Sequence, residues 1–137
     1  MSLELHVFLK RASLPDRSGW QHEIDVIGLP IELDVAFDPK TNTGFTPVKL
    51  KGIESGFELD RGNVGELLSI YPQLRPIVAD RDSALSFRWG GDLKECGCVL
   101  GAAAALVKAF DAVAYYAEDD IAYKDYQQLL IEARQSL

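Results

Sequence analysis

Apolar and polar residues alternate along Leu3–Leu9, with Leu3, Leu5, Val7 and Leu9 set against Glu4, His6, Phe8 and the following Lys10. A period of two predicts a strand, and Phe8 on the polar side implies that this second face is partly covered. The cleanest alternation is Ile31, Leu33, Val35 and Phe37 against Glu32, Asp34 and Ala36. It predicts a strand with an acidic, wet side. Further strands are expected over Phe45–Leu50, Phe57–Asp60, Ala84–Trp89 and Asp111–Tyr116. Asp38–Gly44 is rich in turn-forming residues, Gly52 and Gly56 punctuate the path to Phe57, and Arg61-Gly62 closes that strand.

Helical spacing appears in four places. Ser13-Leu-Pro15 announces a helix over Pro15–Ile27, with Trp20, Ile24 and Ile27 as its apolar stripe and Gly28 as its left-handed end. The residues Glu23–Ile27 also admit a strand. Asn63 and Glu66 form a capping-box-like start for a short helix carrying Leu67, Leu68 and Tyr71, which Pro72 stops. The connection Gln73–Arg81 is irregular, with Pro76, Ile77 and Val78 tucked against the body. Asp92 and Glu95 give the same reciprocal capping pattern to a helix whose apolar face is Val99, Leu100, Ala103, Leu106, Val107 and Phe110. Its alanines at 102–105 permit close packing. Glu118-Asp-Asp120 is expected to start a last helix, where acids favour the positive end of the dipole, with Tyr126, Leu129, Leu130 and Ala133 buried.

The predicted order is β-α-β-β-β-α-β-α-β-α. It gives an α+β class: one mixed β-sheet with helices packed on it, and ferredoxin-like elements in the two β-α-β units. The unit around Asp92–Phe110 is expected to be a right-handed crossover between parallel strands. No linker or repeat divides the chain, so residues 1–137 form a single domain.

Composition changes this picture little. Hydrophobic residues at 47% and charged residues at 26% fit a globular chain. No apolar run reaches the ~18 residues of a membrane span. The N-terminus lacks the basic and apolar regions of a secretory signal, so a cytoplasmic location is expected. The charge matters more. A formal net charge of −7 disfavours nucleic acid, which is bound through Lys and Arg on phosphates, and permits a basic protein partner.

Candidate chemistry is sparse. Cys96 and Cys98, two apart on a helix, diverge by about 200° and can neither share a metal nor close a disulfide. His6 and His22 have no sequence neighbours that would make a nucleophile pair. Glu118–Asp120 read as helix capping rather than a calcium loop, and Glu58 and Asp60 as a solvated strand face rather than an acid/base pair. Gly90-Gly91 sits where a phosphate turn would, but Asp92 places a negative charge there, and the turn reads as a cap. No catalytic residue, cofactor or metal is expected. The residue types that dominate interfaces cluster differently. Arg88 and Trp89 lie beside the Gly-Gly turn, while Tyr115, Tyr116 and Tyr123 lie near the other end of the crossover, with Tyr126 beyond. They are the candidate interface.

Leu14-Pro15 with Trp20, Gly28-Leu-Pro-Ile-Glu-Leu33, Gly44-Phe-Thr-Pro-Val48, Ser55-Gly-Phe-Glu58 and Phe87-Arg-Trp-Gly-Gly-Asp92 together resemble small bacterial proteins, some of them similar to toxin-immunity proteins. The acidic charge, the lack of a catalytic constellation and this resemblance together point to a non-catalytic, acidic interaction module, in one form an immunity-type inhibitor of a basic toxin. The resemblance assigns no residue a role. The alternative is a small-molecule-binding protein or enzyme with a pocket between sheet and helices. A homodimer would follow if the acidic strand face or the tyrosine-rich end paired with its copy.

Overall fold

The long alanine-rich helix organises the molecule. In the computed structural model, which describes residues 2–137, α4 (Leu93–Ala109) has every residue from Cys96 to Val107 buried. An amphipathic surface helix buries one stripe; this one is covered on all sides. A seven-stranded sheet lies on one side of it, and α1 (Arg17–Val26) and α5 (Tyr126–Ser136) flank it. The sheet is built from β1 (Leu3–Leu9), β2 (Ile31–Leu33), β3 (Gly44–Leu50), β4 (Ile53–Gly62), β5 (Ser83–Trp89), β6 (Val113–Tyr116) and β7 (Ile121–Tyr123). Its order is β2-β3-β4-β5-β1-β6-β7. The α+β class with one sheet and packed helices therefore holds. Every neighbouring pair is antiparallel. The strands joined through α4, β5 and β6, do run in the same direction, but β1 lies between them.

Strand alternation sorts the side chains as period two requires. Leu5, Val7, Leu9, Phe57, Leu59, Leu85, Phe87 and Trp89 enter the core under α4. Phe8, Ala84, Val113 and Tyr115 point the other way, into a smaller cluster closed by Leu67, Leu74 and Val78. Those three come from α2 (Val64–Ile70) and the short turns after it, a 3-10 turn at Pro72–Leu74 and α3 (Arg75–Val78). The coverage inferred from Phe8 is thus real. It is also partial, for Glu32, Phe45, Pro47, Lys49, Glu54 and Glu58, on the same face of β2–β4, are all exposed.

The capping residues act mostly as expected. Asn63 Oδ1 accepts from Glu66 N at 3.0 Å, and Asp92 Oδ1 accepts from Lys94 N at 2.7 Å and Glu95 N at 3.4 Å. α1 begins later than Pro15, because Asp16 is its cap and accepts from Gly19 N. Trp20 and Ile24 are fully buried, and Trp20 Nε1 donates to Ala102 O at 2.9 Å, fastening α1 to α4. β3 and β4 meet at a two-residue turn, Lys51-Gly52, with φ of 52° and 79°. Positive φ at both positions is the tight hairpin turn that suits strand twist, and it extends β4 back to Ile53.

Two expectations fail. Glu118–Asp120 do not start the last helix. They form the turn of a β6–β7 hairpin, in which Tyr116 pairs with Ile121, and α5 starts after Asp125, whose side chain accepts from Gln127 N. The acids favour a turn because Asp120 takes a left-handed φ of 52° and its carboxylate accepts the Tyr115 hydroxyl at 2.6 Å. The strand read over Ile31–Phe37 ends at Leu33.

Candidate functional site: an acidic groove at the sheet edge

The early end of β2 opens a groove at the edge of the sheet. Three groups from α1 satisfy the outer edge of this three-residue strand. Gln21 Nε2 donates to Ile31 O (2.9 Å), Gln21 Oε1 accepts from Leu33 N (2.7 Å), and Arg17 Nη2 donates to Leu33 O (2.6 Å). These side chains replace a neighbouring strand, so no backbone edge is left open there. Past Leu33 the chain bends, with Phe37 N donating to Asp34 O, and the Phe37 ring packs on Trp20 at 5.8 Å. Burying Phe37 this way throws Val35 outward, 79% exposed. The alternation over residues 31–37 was real, but its last two apolar members go to opposite environments.

β3 continues beyond the end of β2, and its Gly44–Pro47 portion pairs only with β4. Gln21 binds Ile31 O and Leu33 N, so these groups point away from β3, and Glu32 is the residue whose backbone faces Lys49. By alternation the backbone of Pro47 also faces outward, where a proline lacks a donor and blunts the edge. Beside this edge lies a groove of about 520 Å³. Glu32, Asp34, Glu54 and Glu95 contribute carboxylates to its lining, Lys49 is the single cation, and Val35, Phe45 and Pro47 are apolar. Phe45 is 60% exposed. Glu95 reaches the groove from the first turn of α4, fixed by the Asp92 cap. A smaller hollow of about 230 Å³ continues it toward Asn42 and shares Asp34, Phe45 and Pro47.

The polar lining of the groove is mostly carboxylate. Its hydroxyl is Ser55 and its lining holds no histidine. The nearby Cys98 thiol is pushed up to about 11 by burial, so it stays protonated. Cys96 is likewise raised by burial, and both thiols are free and buried. Among the described residues, no group of three or more His, Cys, Asp or Glu is placed to hold a metal ion.

A second polar cluster lies under α2, on the sheet face away from α4. His6 Nδ1 is 2.8 Å from Ser86 Oγ, and Glu4 sits 3.4 Å from both His6 Nε2 and Arg88 Nε. No short hydrogen bond reaches the buried Nε2, whose charged neighbour is the Glu4 carboxylate at 3.4 Å. Burial holds the imidazole below its ordinary 6.5, against the opposing pull of Glu4. Tyr71 stacks obliquely on both His6 and Tyr115, at 5.8 and 4.9 Å. Tyr115 is pushed up to about 12, first by burial and then by its bond to Asp120. This cluster is packed and hydrogen-bonded, and His6 serves as a core histidine.

The five residues of the candidate interface do not form one surface. Trp89, Tyr116 and Tyr123 belong to the core on the α4 side, while Tyr115 belongs to the cluster on the opposite side. Trp89 is 4% exposed and Tyr115 3% exposed. Arg88 alone stands on an exposed face, paired with Glu4. Tyr126 is partly buried against the main core. Strand alternation forces the separation, because Arg88 and Trp89 are adjacent in β5, as Tyr115 and Tyr116 are in β6. Glu58 and Asp60 are exposed on the strand face, opposite Arg88 and Ser86. The groove residues Val35, Phe45, Glu54 and Glu95 were not read as site residues in the sequence. The available signal was Pro47 two residues after an aromatic within a strand, which marks an edge with an exposed ring. The chain finds no match among protein-family models, curated proteins or solved structures.

Proposed function

We propose that the protein is a non-catalytic interaction module that holds a basic protein partner in the groove beside β3. The observation that carries this reading is the groove's lining, four carboxylates to one lysine around exposed Val35, Phe45 and Pro47. Apolar contact in the middle with complementary charge at the rim is how protein interfaces obtain both affinity and steering. The net charge of −7 acts in the same direction at longer range. An immunity-type inhibitor of a basic toxin is the specific form that the sequence resemblance suggests, and two free, buried thiols fit a reducing, cytoplasmic setting.

The test is comparative capture from the native host with the wild-type chain and with a Glu32→Gln, Asp34→Asn, Glu54→Gln variant. A basic protein retained by the wild type, and bound about ten-fold more weakly by the variant at low salt, is the expected result. A partner retained equally by both would reject the groove. A second reading, a small-molecule site, rests on the groove's volume of about 520 Å³, within the range of about 300–1,000 Å³ typical of ligand pockets. The position of the groove at the sheet edge, with Val35 and Phe45 exposed in its lining, favours the first.

A further inference from the structure

β4 carries Glu54, Gly56 and Glu58 on one face of the sheet, and the gap above the glycine is filled from the neighbouring strand. The Phe45 ring lies across Gly56, so close that a β-carbon there would come within 2.5 Å of Phe45 Cζ and 2.8 Å of Cε1. Residues two apart on a strand are separated by roughly 6.6 Å, so the ring has a carboxylate-bearing position on each side. Glu58 lies directly opposite Phe45 in the register, and Pro47 lies opposite Gly56. The ring is held from below and still 60% exposed above.

From this arrangement we infer that Phe45 is the anchor for an arginine side chain of the basic partner. This inference rests on the basic-partner reading and names its contact. A planar guanidinium stacks on an aromatic face and offers donors at its edge, so one arginine can cover the ring while reaching Glu54 or Glu58. A lysine ammonium is a compact, strongly hydrated charge that gains less from the ring. Arg88, which lies beside Glu58 in the register, is already engaged by Glu4 at 3.4 Å. Lys49 lies opposite Glu54 in the register without an ion pair to it, and the groove's four carboxylates outnumber that one lysine, so the charge around the ring favours a further cation.

The experiment is a titration of the isotope-labelled chain, followed by amide chemical shifts, with two 12-residue Gly/Ser peptides carrying four arginines or four lysines. The arginine peptide is expected to shift the amides of Phe45, Gly56 and Glu54 and to bind about five-fold tighter than the lysine peptide. Phe45→Leu, which keeps an apolar cover on Gly56 but has no π face, should remove that preference with the rest of the spectrum unchanged. Phe45→Ala should do the same. Equal binding of both peptides to wild type and Phe45→Leu at the groove amides would overturn the anchor and leave the basic-partner reading intact. Absence of any shift in the groove with either peptide would overturn both.

Discussion

His6 shows how a single buried group sets a pH response. Groups from three strands and α2's end face it: Glu4 on its own strand, Ser86 and Arg88 on β5, Tyr115 on β6, and Tyr71. Burial lowers its affinity for a proton below the ordinary 6.5, so the unfolded chain takes up that proton first as pH falls. Stability from neutral His6 is complete above about 6.5 and is lost below it. Asp38, Asp80 and Asp120 are held below the usual 3.8, chiefly by hydrogen bonds from Lys40 N, Lys10 and Tyr115, and lose their contribution only in stronger acid. Urea unfolding between about pH 7 and pH 5 should therefore show falling stability, with a flatter profile in His6→Gln. An unchanged slope in that variant would remove His6 from the account. Ala79 offers the opposite kind of effect. It ends α3 with φ 53° and ψ −120°, a conformation suited to glycine, and its side chain is exposed. Ala79→Gly should stabilise the protein by about 0.5–1 kcal/mol, read from the urea midpoint, because strain relief exceeds the added unfolded-state entropy.

Among the elements, α4 carries the fold. Alanine predominates where the helix is enclosed by the sheet, α1 and α5, and Ala102–Ala105 are all fully buried. A larger side chain there has nowhere to go in a close-packed interior. Ala103→Leu should cost about 1–3 kcal/mol or prevent folding, whereas the exposed Leu93→Ala at the start of the same helix should cost less than about 0.5 kcal/mol. Comparable losses from both variants would contradict the central placement of α4. This helix, its cap at Asp92 and its neighbouring strand β5 were all legible in the sequence, because period and capping chemistry agree over Ser83–Ala109. β7 was not legible. A three-residue strand is too short to show a period, and the acids at 118–120 satisfy a turn and a helix start equally well. β2 failed differently: alternation describes side chains, and nothing in it reveals that Gln21 and Arg17 will end the strand from another element.

For the whole molecule, seven strands and a buried helix leave one half of one sheet face uncovered, and the acidic groove lies beside it. The class of fold and the acidic character could be read from the chain, but the site could not. Trp89 and the tyrosines could be read either as an interface or as finishing the core; a core large enough to enclose α4 takes in Trp89 and Tyr123, Tyr115 is buried on the opposite face, and Phe45 is an exposed ring. The site arises from where β2 stops relative to β3, a long-range consequence of α1 docking. Hydrogen exchange on the complex with the captured partner tests that placement directly. Protection confined to Glu32–Val35 and Phe45–Glu58 is the predicted footprint. Protection over α2 and α3 instead, with those two segments exchanging as in the free chain, would contradict it.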